Sequence, residues 1–302
     1  MPLPAALSLD LRGRSLTRIR DWTAAEIEAV LDLADELKVQ QREREPHRLL
    51  EGRTLGLLFR KHSTRTRVSL EVRRGDLGAT ALYLAGEQLQ LERGESVEDT
   101  ARVLSRYLVA LAVRTHEHAE VETFAAVSGV PVVNALTDEA HPLQALADLQ
   151  TIRERFGTLE GVRVGWVGDG TNVCVSLAEA CALLGAELTC AAPSGYEPTD
   201  SSIRVVCDPR EAAEGAHVLV TDVWVSMGQE DERDERVADL AGYSLDTDLL
   251  ALADPEAIVL HCLPAHPGEE ITADVLYGPR SAVWDEAENR LHTAKAVLAL
   301  TV

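Results

Sequence analysis

Hydrophobic residues first recur at helical spacing near the start of the chain. Over residues 27–37 they fall three or four positions apart, so they line one face of a helix. Thr23 is followed three positions later by Glu26, a pairing typical of the capping box at a helix N-terminus. The pattern therefore predicts an amphipathic helix that begins directly after Thr23.

Beyond this helix, short apolar runs alternate with helical patterns. The strand-like runs are residues 54–59, 79–85, 108–114 and 130–136 in the first half, and residues 162–168, 186–192, 202–207, 217–223 and 257–264 in the second. Ser96 is in position to cap one of the intervening helices. A longer helical pattern at residues 141–157, stopped by Gly157, separates the two series, and another at residues 285–300 closes the chain.

This alternation of strands and helices is typical of α/β proteins with parallel sheets. It predicts two doubly wound α/β domains with parallel sheets, joined by interdomain helices. We expect the first domain at residues 1–140 and the second at residues 141–285, with a bridging helix at residues 141–156. Residues 286–302 are predicted to form a C-terminal helix that returns to the first domain. The acidic run GQEDERDER, residues 228–236, is interpreted as a solvated loop.

The composition is that of a globular protein with an acidic surface. The chain has 302 residues, of which 46% are hydrophobic and 26% charged, and its net charge is −21. Nucleic acids and anionic membranes attract broad basic fields, so this charge argues against both as partners. No run approaches the roughly 18 apolar residues of a membrane span. Residues 1–14 lack the charge and the hydrophobic segment of a signal peptide.

The cysteines indicate a reducing compartment. The five are Cys174, Cys181, Cys190, Cys207 and Cys262. Their number is odd and no two of them form a C-x-x-C pair, so reduced thiols fit better than a disulfide framework. We therefore expect a cytoplasmic protein.

One short segment runs against the overall acidity. Residues 60–67, RKHSTRTR, interleave four cations with three hydroxyl groups: Arg60, Lys61, Arg65, Arg67, Ser63, Thr64 and Thr66. The segment follows a strand and starts a predicted helix, whose free N–H groups and positive end favour an anion. A basic, solvated helix start is the alternative. The position after a buried strand favours an oxyanion site.

Three further polar groups follow strands or open helices, where ligands of α/β sheets collect. His141 opens the sequence HPLQ, which is also typical of a capped helix start with proline in the first turn. Asp222 lies near a strand end, where an uncompensated carboxylate is costly, so it requires a cation from the protein or from a substrate. Cys262 has histidines nearby and is either a thiol nucleophile or a packing residue.

A glycine-rich stretch at residues 165–173, GWVGDGTNV, invites a dinucleotide interpretation. Its glycines are spaced G-x-x-G-x-G, whereas the dinucleotide fingerprint is G-x-G-x-x-G, and Asp169 would repel a pyrophosphate. No cluster of histidine, cysteine and carboxylate residues has metal-ligand spacing. The sequence therefore predicts neither a nicotinamide cofactor nor a metal.

Taken in order, these motifs resemble the aspartate/ornithine carbamoyltransferase family, and within it the ornithine-specific branch. The resemblance runs nearly end to end and is carried by residues 63–67, 90–104, 113–116, 141–149, 168–173, 222–229, 261–266 and 287–292. It implies transfer of the carbamoyl group of carbamoyl phosphate to the δ-amine of L-ornithine, giving citrulline and phosphate. It also implies that the first domain binds carbamoyl phosphate and the second binds ornithine.

The resemblance further implies a role for each matching residue. Carbamoyl phosphate would be bound by Ser63, Thr64, Arg65, Thr66, Arg114, His141, Gln144, Cys262, Leu263 and Arg290, and by Gln90 from a neighbouring subunit. The amino-acid end of ornithine would be bound by Asn172, Asp222, Ser226 and Met227. Arg114, His141, Cys262 and Asp222 would act at the reacting atoms. The protein would be a homotrimer, or a multiple of trimers, with shared active sites and no cofactor.

The second domain itself favours ornithine over aspartate. Two substrate carboxylates would require facing cations, whereas Asp222 and Cys262 suit a substrate with two amino groups. Putrescine and acylated ornithine stay open as alternative amines, aspartate fits least, and a non-catalytic regulator of the same fold is the alternative of another class. The chain departs from the family at Arg60, where glutamate is usual, at Glu92, where glycine is usual, and at Thr171, where asparagine is usual. The segment at residues 193–207 is also shorter than is usual in the family.

Overall fold

A computed structural model describes residues 9–60, 77–86, 89–226 and 228–302, except for the side chains of Glu92 and Glu230. The chain forms two compact units. The first contains the residues up to Gln150 together with Asn289–Val302, and the second contains Thr151–Glu288. The chain thus passes from one unit to the other twice.

The first unit begins with the predicted amphipathic helix. Helix α1, Ala24–Arg42, is capped by Thr23, whose hydroxyl accepts a hydrogen bond from the Glu26 amide at 3.3 Å. The Glu26 carboxylate accepts one in return from the Thr23 amide at 2.7 Å. Both halves of the capping box are formed, so the predicted start is confirmed.

In its described part, the first unit is built on a four-stranded parallel sheet. The elements are β1 Thr54–Phe59, β2 Thr80–Ala85, α2 Val97–Leu104, β3 Ala110–Arg114, α3 His118–Val127 and β4 Val132–Leu136. The strand order is β2-β1-β3-β4, so the chain winds outward in both directions from β1. Apolar side chains of α2 and α3 pack on the sheet, among them Ala101 and Phe124 against Leu111 and Val113. Ser96 caps α2 as predicted.

Helix α4, Pro142–Phe156, follows β4. It ends at Gly157, whose φ of 75° lies in the left-handed region that favours glycine. The two units divide within α4, between Gln150 and Thr151. The sequence predicts a boundary ten residues earlier, between residues 140 and 141.

The described second unit is built on a five-stranded parallel sheet of order β7-β6-β5-β8-β9. Its elements are β5 Arg163–Val167, α5 Asn172–Leu184, β6 Glu187–Ala191, β7 Arg204–Val206, α6 Pro209–Ala213, β8 Val218–Thr221, α7 Arg233–Leu240, α8 Thr247–Leu250, β9 Ile258–His261 and α9 Ala273–Leu276. The winding direction reverses between β5 and β8, where ligands bind in doubly wound sheets. The final helix, α10 Val283–Thr301, begins in this unit and ends in the first.

The predicted fold class of two doubly wound α/β domains is confirmed, and the strands lie within a few residues of their predicted positions. For the acidic run at residues 228–236, the prediction of a loop is wrong, although residues 231–235 are exposed as predicted. The run contains a 3₁₀ turn, Glu230–Glu232, and the first residues of α7. Arg236 and Leu240 are one helical turn apart and both buried, so they hold α7 against the unit.

The connection between β6 and β7, at residues 192–203, contains turns and no helix. This agrees with the short sequence noted there. Among the described helices, none is both long enough and apolar enough to cross a bilayer.

Candidate active site

Polar side chains of the first unit meet where β3, α4 and α10 come together. Arg114 is the last residue of β3 and only 6% of it is exposed. His141 directly precedes α4, Gln144 lies in its first turn, and both are buried. Nη1 of Arg290, on α10, donates to Oε1 of Gln144 at 2.5 Å and lies 3.3 Å from Nε2 of His141. Nε2 of Gln144 in turn donates to Asp148 at 2.7 Å.

This environment keeps His141 neutral. Burial lowers the pKa of His141 well below its ordinary value of 6.5, and the positive charges of Arg290 and Arg114 lower it further. Because a guanidinium can only donate, the contact with Arg290 makes Nε2 the acceptor and leaves the ring proton on Nδ1. The cluster thus contains two permanent cations beside a neutral imidazole.

Arg60, one of the departures from the family pattern, pairs within the same unit. Its guanidinium donates to Glu120 at 2.6 Å, and the Glu120 side chain is 7% exposed. Glu120 also accepts a hydrogen bond from Thr115, the residue after Arg114. The backbone amide of Arg60 donates to the carbonyl of Arg114 at 2.8 Å. The substituted arginine therefore sits in a hydrogen-bonded network beside the end of β3.

In the second unit, Asp222 follows β8 at the point where the winding of the sheet reverses. Its carboxylate is buried and accepts three hydrogen bonds from neutral donors. These donors are the hydroxyl of Thr171 at 3.2 Å, the thiol of Cys262 at 3.0 Å and the amide of Val223 at 2.8 Å. No arginine in the described part of the second unit forms an ion pair with it. The carboxylate is therefore ready to bind a cationic group.

Thr171 has two tasks at this point. It is the N-cap of α5, and its hydroxyl accepts a hydrogen bond from the amide of Val173 at 3.3 Å while donating to Asp222. Asn172, predicted to contact the amino-acid end of ornithine, is the first residue of α5 and is partly exposed. Thr171 thus links the start of α5 to the carboxylate.

The glycine-rich stretch is explained by packing. A Cβ on Gly165 would lie 2.3 Å from the carbonyl oxygen of Ala212, and one on Gly170 would lie 2.4 Å from the nitrogen of Pro198. Asp169 pairs with Arg236. Burial raises the pKa of Asp169, and the charge of Arg236 opposes this effect. Close packing therefore accounts for both glycines.

Cys262 is partly exposed, and its thiol is directed at Asp222. The next residue, Leu263, has a left-handed backbone with a φ of 60°, uncommon for a side chain of this size. Ser226 donates its amide to the side chain of Gln229 at 3.0 Å. Met227 and the predicted phosphate-binding residues 63–66 lie outside the described residues.

Gln90, predicted to act in a neighbouring subunit, is exposed at the start of a 3₁₀ turn, Gln90–Arg93. The structure therefore brings together Arg114, His141, Gln144 and Arg290 in the first unit, and Asp222 and Cys262 in the second. Sequence reasoning missed Asp148, Glu120 and the hydrogen bond from Thr171 to Asp222. Of these, only the contact of Asp148 could have been predicted from the sequence, because Asp148 lies four residues after Gln144 on the same helix face.

Two groups of side chains bring metal-ligand atoms within 4.8 Å of one another. They are Asp222 with His261 and Cys262, and His266 with Glu269 and Glu270. In the first group, Cys262 is hydrogen-bonded to Asp222, and His261 is hydrogen-bonded to Glu270. Because these contacts engage the ligand atoms, we interpret the group as a hydrogen-bonded network.

Comparison with known proteins places both units in one family. The profile of the aspartate/ornithine carbamoyltransferase carbamoyl-P binding domain matches residues 14–154, and that of the Asp/Orn binding domain of the same family matches residues 160–301. The ornithine carbamoyltransferase of Pyrococcus abyssi is 49% identical over 306 residues, which cover 97% of this chain and 96% of the relative. That of Acidothermus cellulolyticus is 54% identical over 294 residues, covering 92% and 93%.

A solved structure agrees with these matches. Ornithine carbamoyltransferase from Pyrococcus furiosus superposes with a TM-score of 0.93 at 49% identity, covering 97% of this chain and 98% of that one. Family profiles, full-length relatives and fold all coincide. The chain belongs to the aspartate/ornithine carbamoyltransferase family.

Proposed function

We propose that this protein transfers the carbamoyl group of carbamoyl phosphate to the δ-amine of L-ornithine, releasing L-citrulline and phosphate. Relatives that cover nearly the whole chain are named ornithine carbamoyltransferase. The observation that carries the proposal is the buried carboxylate of Asp222, which has neutral donors and no arginine partner within the described second unit. A substrate amino group supplies the missing cation.

The cluster in the first unit supports binding of carbamoyl phosphate. Arg114 and Arg290 provide donors for phosphate and carbonyl oxygens, and the contact with Gln144 fixes the guanidinium of Arg290. His141 stays neutral, so it can take part in hydrogen bonding without adding charge. Residues 63–66 complete this anion site in the proposal.

The reaction needs the neutral form of the δ-amine. Its nitrogen attacks the carbonyl carbon, and negative charge develops on the carbonyl oxygen. Donors such as Arg114 stabilise this charge, each worth roughly 3–4 kcal/mol if it acts as an oxyanion-hole donor. The bond between the carbonyl carbon and the oxygen that bridges to phosphorus then breaks, and this oxygen leaves with the phosphate. The proton lost by the amine ends on the released phosphate, so the step balances without a metal or a cofactor.

The second unit favours ornithine over the alternative amines. Asp222 would repel a carboxylate of aspartate, and its contact with Cys262 puts an acceptor and a thiol 3.0 Å apart beside the substrate amine. Asn172, Asp222, Ser226 and Met227 are proposed to bind the α-amino and carboxylate groups, so the α-ammonium group is the cation that Asp222 receives. Putrescine has no carboxylate for these residues, and acylated ornithine has lost its α-ammonium group.

We also propose a homotrimer, or a multiple of trimers, in which Gln90 of one subunit contributes to the site of the next. The exposure of Gln90 supports this role, because it leaves the side chain accessible to a neighbouring copy.

All five cysteines are free thiols. This supports the further proposal that the protein works in the cytoplasm, where thiols stay reduced.

The test is a turnover assay with a panel of amines. Purified protein is incubated with carbamoyl phosphate and, separately, with ornithine, putrescine, N-acetylornithine or aspartate, and the carbamoylated products are separated by chromatography. We expect citrulline from ornithine at a rate far above that of any other product. A different carbamoylated amine would support one of the alternative substrates, and absence of all turnover would support a non-catalytic regulator.

A further inference from the structure

A buried glutamate–histidine pair lies behind the segment that carries Cys262. His261 is the last residue of β9, Glu270 precedes α9, and the side chains of both are fully buried. Nε2 of His261 lies 3.2 Å from Oε1 of Glu270. The same oxygen accepts the backbone amide of His266 at 2.5 Å. A carboxylate at this depth is costly unless donors satisfy it. Oε1 has two such donors, whereas Oε2 is buried without a hydrogen-bond partner among the described residues.

The hydrogen bonds around His261 determine its tautomer. Nδ1 lies 2.9 Å from the backbone amide of Leu263, and an amide nitrogen can only donate. Nδ1 is therefore unprotonated, and the ring proton lies on Nε2, where it is donated to Glu270. A carboxylate behind a histidine fixes both the tautomer and the plane of the ring, as it does behind histidines that bind metals.

These bonds fix the backbone on both sides of Cys262. The amide of His261 donates to the carboxylate of Glu286 at 2.8 Å, and the amide of Leu263 donates to the His261 ring. Leu263 is held in the left-handed region, at a φ of 60°, which is unfavourable for a leucine. The contact with His261 offsets this cost. The direction of the Cys262 thiol toward Asp222 follows from the fixed backbone.

We infer that Glu270 is a positioning residue for the amine-binding side of the reaction. It holds His261 in the Nε2–H tautomer, His261 holds the amide of Leu263, and Cys262 and Leu263 are thereby kept in place for the substrate amine. This inference rests on the proposed function for the identity of the substrate. The positioning role requires two specific acceptors, an oxygen at residue 270 and the Nδ1 nitrogen of the His261 ring. A purely structural role would require only side chains of suitable size.

The first test compares two variants at Glu270. Glu270→Gln keeps an acceptor oxygen, whereas Glu270→Leu has a similar volume and none. We expect kcat/KM for ornithine to fall about a hundredfold in Glu270→Leu, since small misplacements near the chemistry have effects of this size. Glu270→Gln should stay within about threefold of wild type. Affinity for inorganic phosphate, measured by calorimetry, should be unchanged in both and reports an intact first unit. Equal activity of the two variants would overturn the inference.

A second readout does not depend on turnover. In a Cys207→Ser background, Cys262 is the remaining thiol that is not buried, so its alkylation by iodoacetamide can be followed by mass spectrometry. Glu270→Leu should speed this alkylation about tenfold or more, because the thiol loses its fixed contact with Asp222, and Glu270→Gln should not. An alkylation rate unchanged by Glu270→Leu would contradict the inference even if the proposed substrate proved wrong.

If Glu270→Leu does not fold, two variants at His261 test the same inference. Asn places its amide oxygen where Nδ1 lies and keeps an acceptor for Leu263, whereas Gln reaches toward Glu270 and offers no acceptor at the Nδ1 position. We expect His261→Asn to be at least about tenfold more active than His261→Gln. Equal activity of this pair would overturn the role assigned to the ring.

Discussion

Two aspartates near the same edge of the second sheet, Asp169 partly buried and Asp222 buried, have different partners. Asp169 forms an ion pair with Arg236, whereas Asp222 is surrounded by a hydroxyl, a thiol and an amide. Folding alone therefore neutralises the first carboxylate and leaves the second available. This contrast is the residue-scale basis for assigning Asp222 to the substrate.

Asp222→Asn should raise the KM for ornithine by roughly ten- to a hundredfold, because a charge-assisted hydrogen bond is worth about 1.5–3 kcal/mol. Binding of carbamoyl phosphate should change little. Steady-state kinetics with each substrate varied in turn measures both. Asp239→Asn is a matched control, since Asp239 is exposed and contacts Tyr196 instead. Equal loss of affinity for both substrates would show that Asp222 is structural.

His141 should make the protein less stable in acid. Its pKa is lowered in the folded state, so between that value and 6.5 the unfolded chain binds a proton that the folded chain does not. Below pH 6.5 this group therefore subtracts up to about 1.4 kcal/mol of unfolding free energy per pH unit. In His141→Gln, the unfolding free energy should fall less than in wild type from pH 6.5 to about pH 5.5. Urea unfolding at each pH measures this, and identical slopes would refute it.

At the scale of elements, Thr171 joins helix α5 to the carboxylate site. Thr171→Val removes both the N-cap and the hydrogen bond to Asp222. We expect a loss of about 1 kcal/mol in unfolding free energy and a KM for ornithine raised roughly three- to tenfold. Thr171→Ser should restore both properties. Urea unfolding and steady-state kinetics measure them.

Ser96→Ala provides the control for Thr171, because Ser96 caps α2 in the first unit and has no part in the ornithine site. It should lower stability by a similar amount and leave the KM for ornithine unchanged. If Ser96→Ala and Thr171→Val had the same kinetics, the link between α5 and substrate binding would be wrong.

The elements were predictable wherever burial left a pattern in the sequence. Strands of parallel sheets are apolar on both faces, so β1 and β5 appear as short hydrophobic runs. Helix α7 was missed because its first turn is acidic and its buried residues, Arg236 and Leu240, lie at or beyond the end of the charged run. Periodicity cannot reveal that an arginine will be buried against a carboxylate 67 residues away.

The same limit applies to the site. Arg290 contacts Gln144 across 146 positions of sequence, and no local spacing indicates such a pair. Their roles were predicted from the resemblance to a family. The hydrogen bonds of Glu270 and Thr171 depend on how strands are placed side by side, so they became visible only in three dimensions.

At the scale of the whole molecule, a chain with a net charge of −21 is proposed to bind an anionic substrate. The buried cations Arg114 and Arg290 make this possible, because local charges in a low-dielectric site outweigh distant, screened surface charges. The two units differ in charge at their candidate sites. Buried cations cluster in the first unit, whereas the second has the buried carboxylate of Asp222, which is proposed to bind a cationic group of the substrate.

The proposed trimer predicts complementation between inactive subunits. If Arg65 acts in its own subunit and Gln90 in the next, an intact site forms where a Gln90→Ala subunit is completed by an Arg65→Ala neighbour. Random mixing in a cyclic trimer gives that pair in about a quarter of sites. Two inactive proteins unfolded and refolded together should therefore regain roughly a quarter of wild-type activity. Each variant refolded alone is the control, and no recovery in mixed trimers verified by mass would exclude the shared site.

The most direct test of the account is to observe which atoms become bonded. Carbamoyl phosphate labelled with ¹³C at the carbonyl carbon is mixed with the protein and with ornithine labelled with ¹⁵N at the δ-nitrogen, and the product is followed by NMR. We predict a one-bond ¹³C–¹⁵N coupling in citrulline, and none when the ¹⁵N label is at the α-nitrogen. Absence of coupling with the δ-label, or coupling with the α-label, would contradict the proposed transfer.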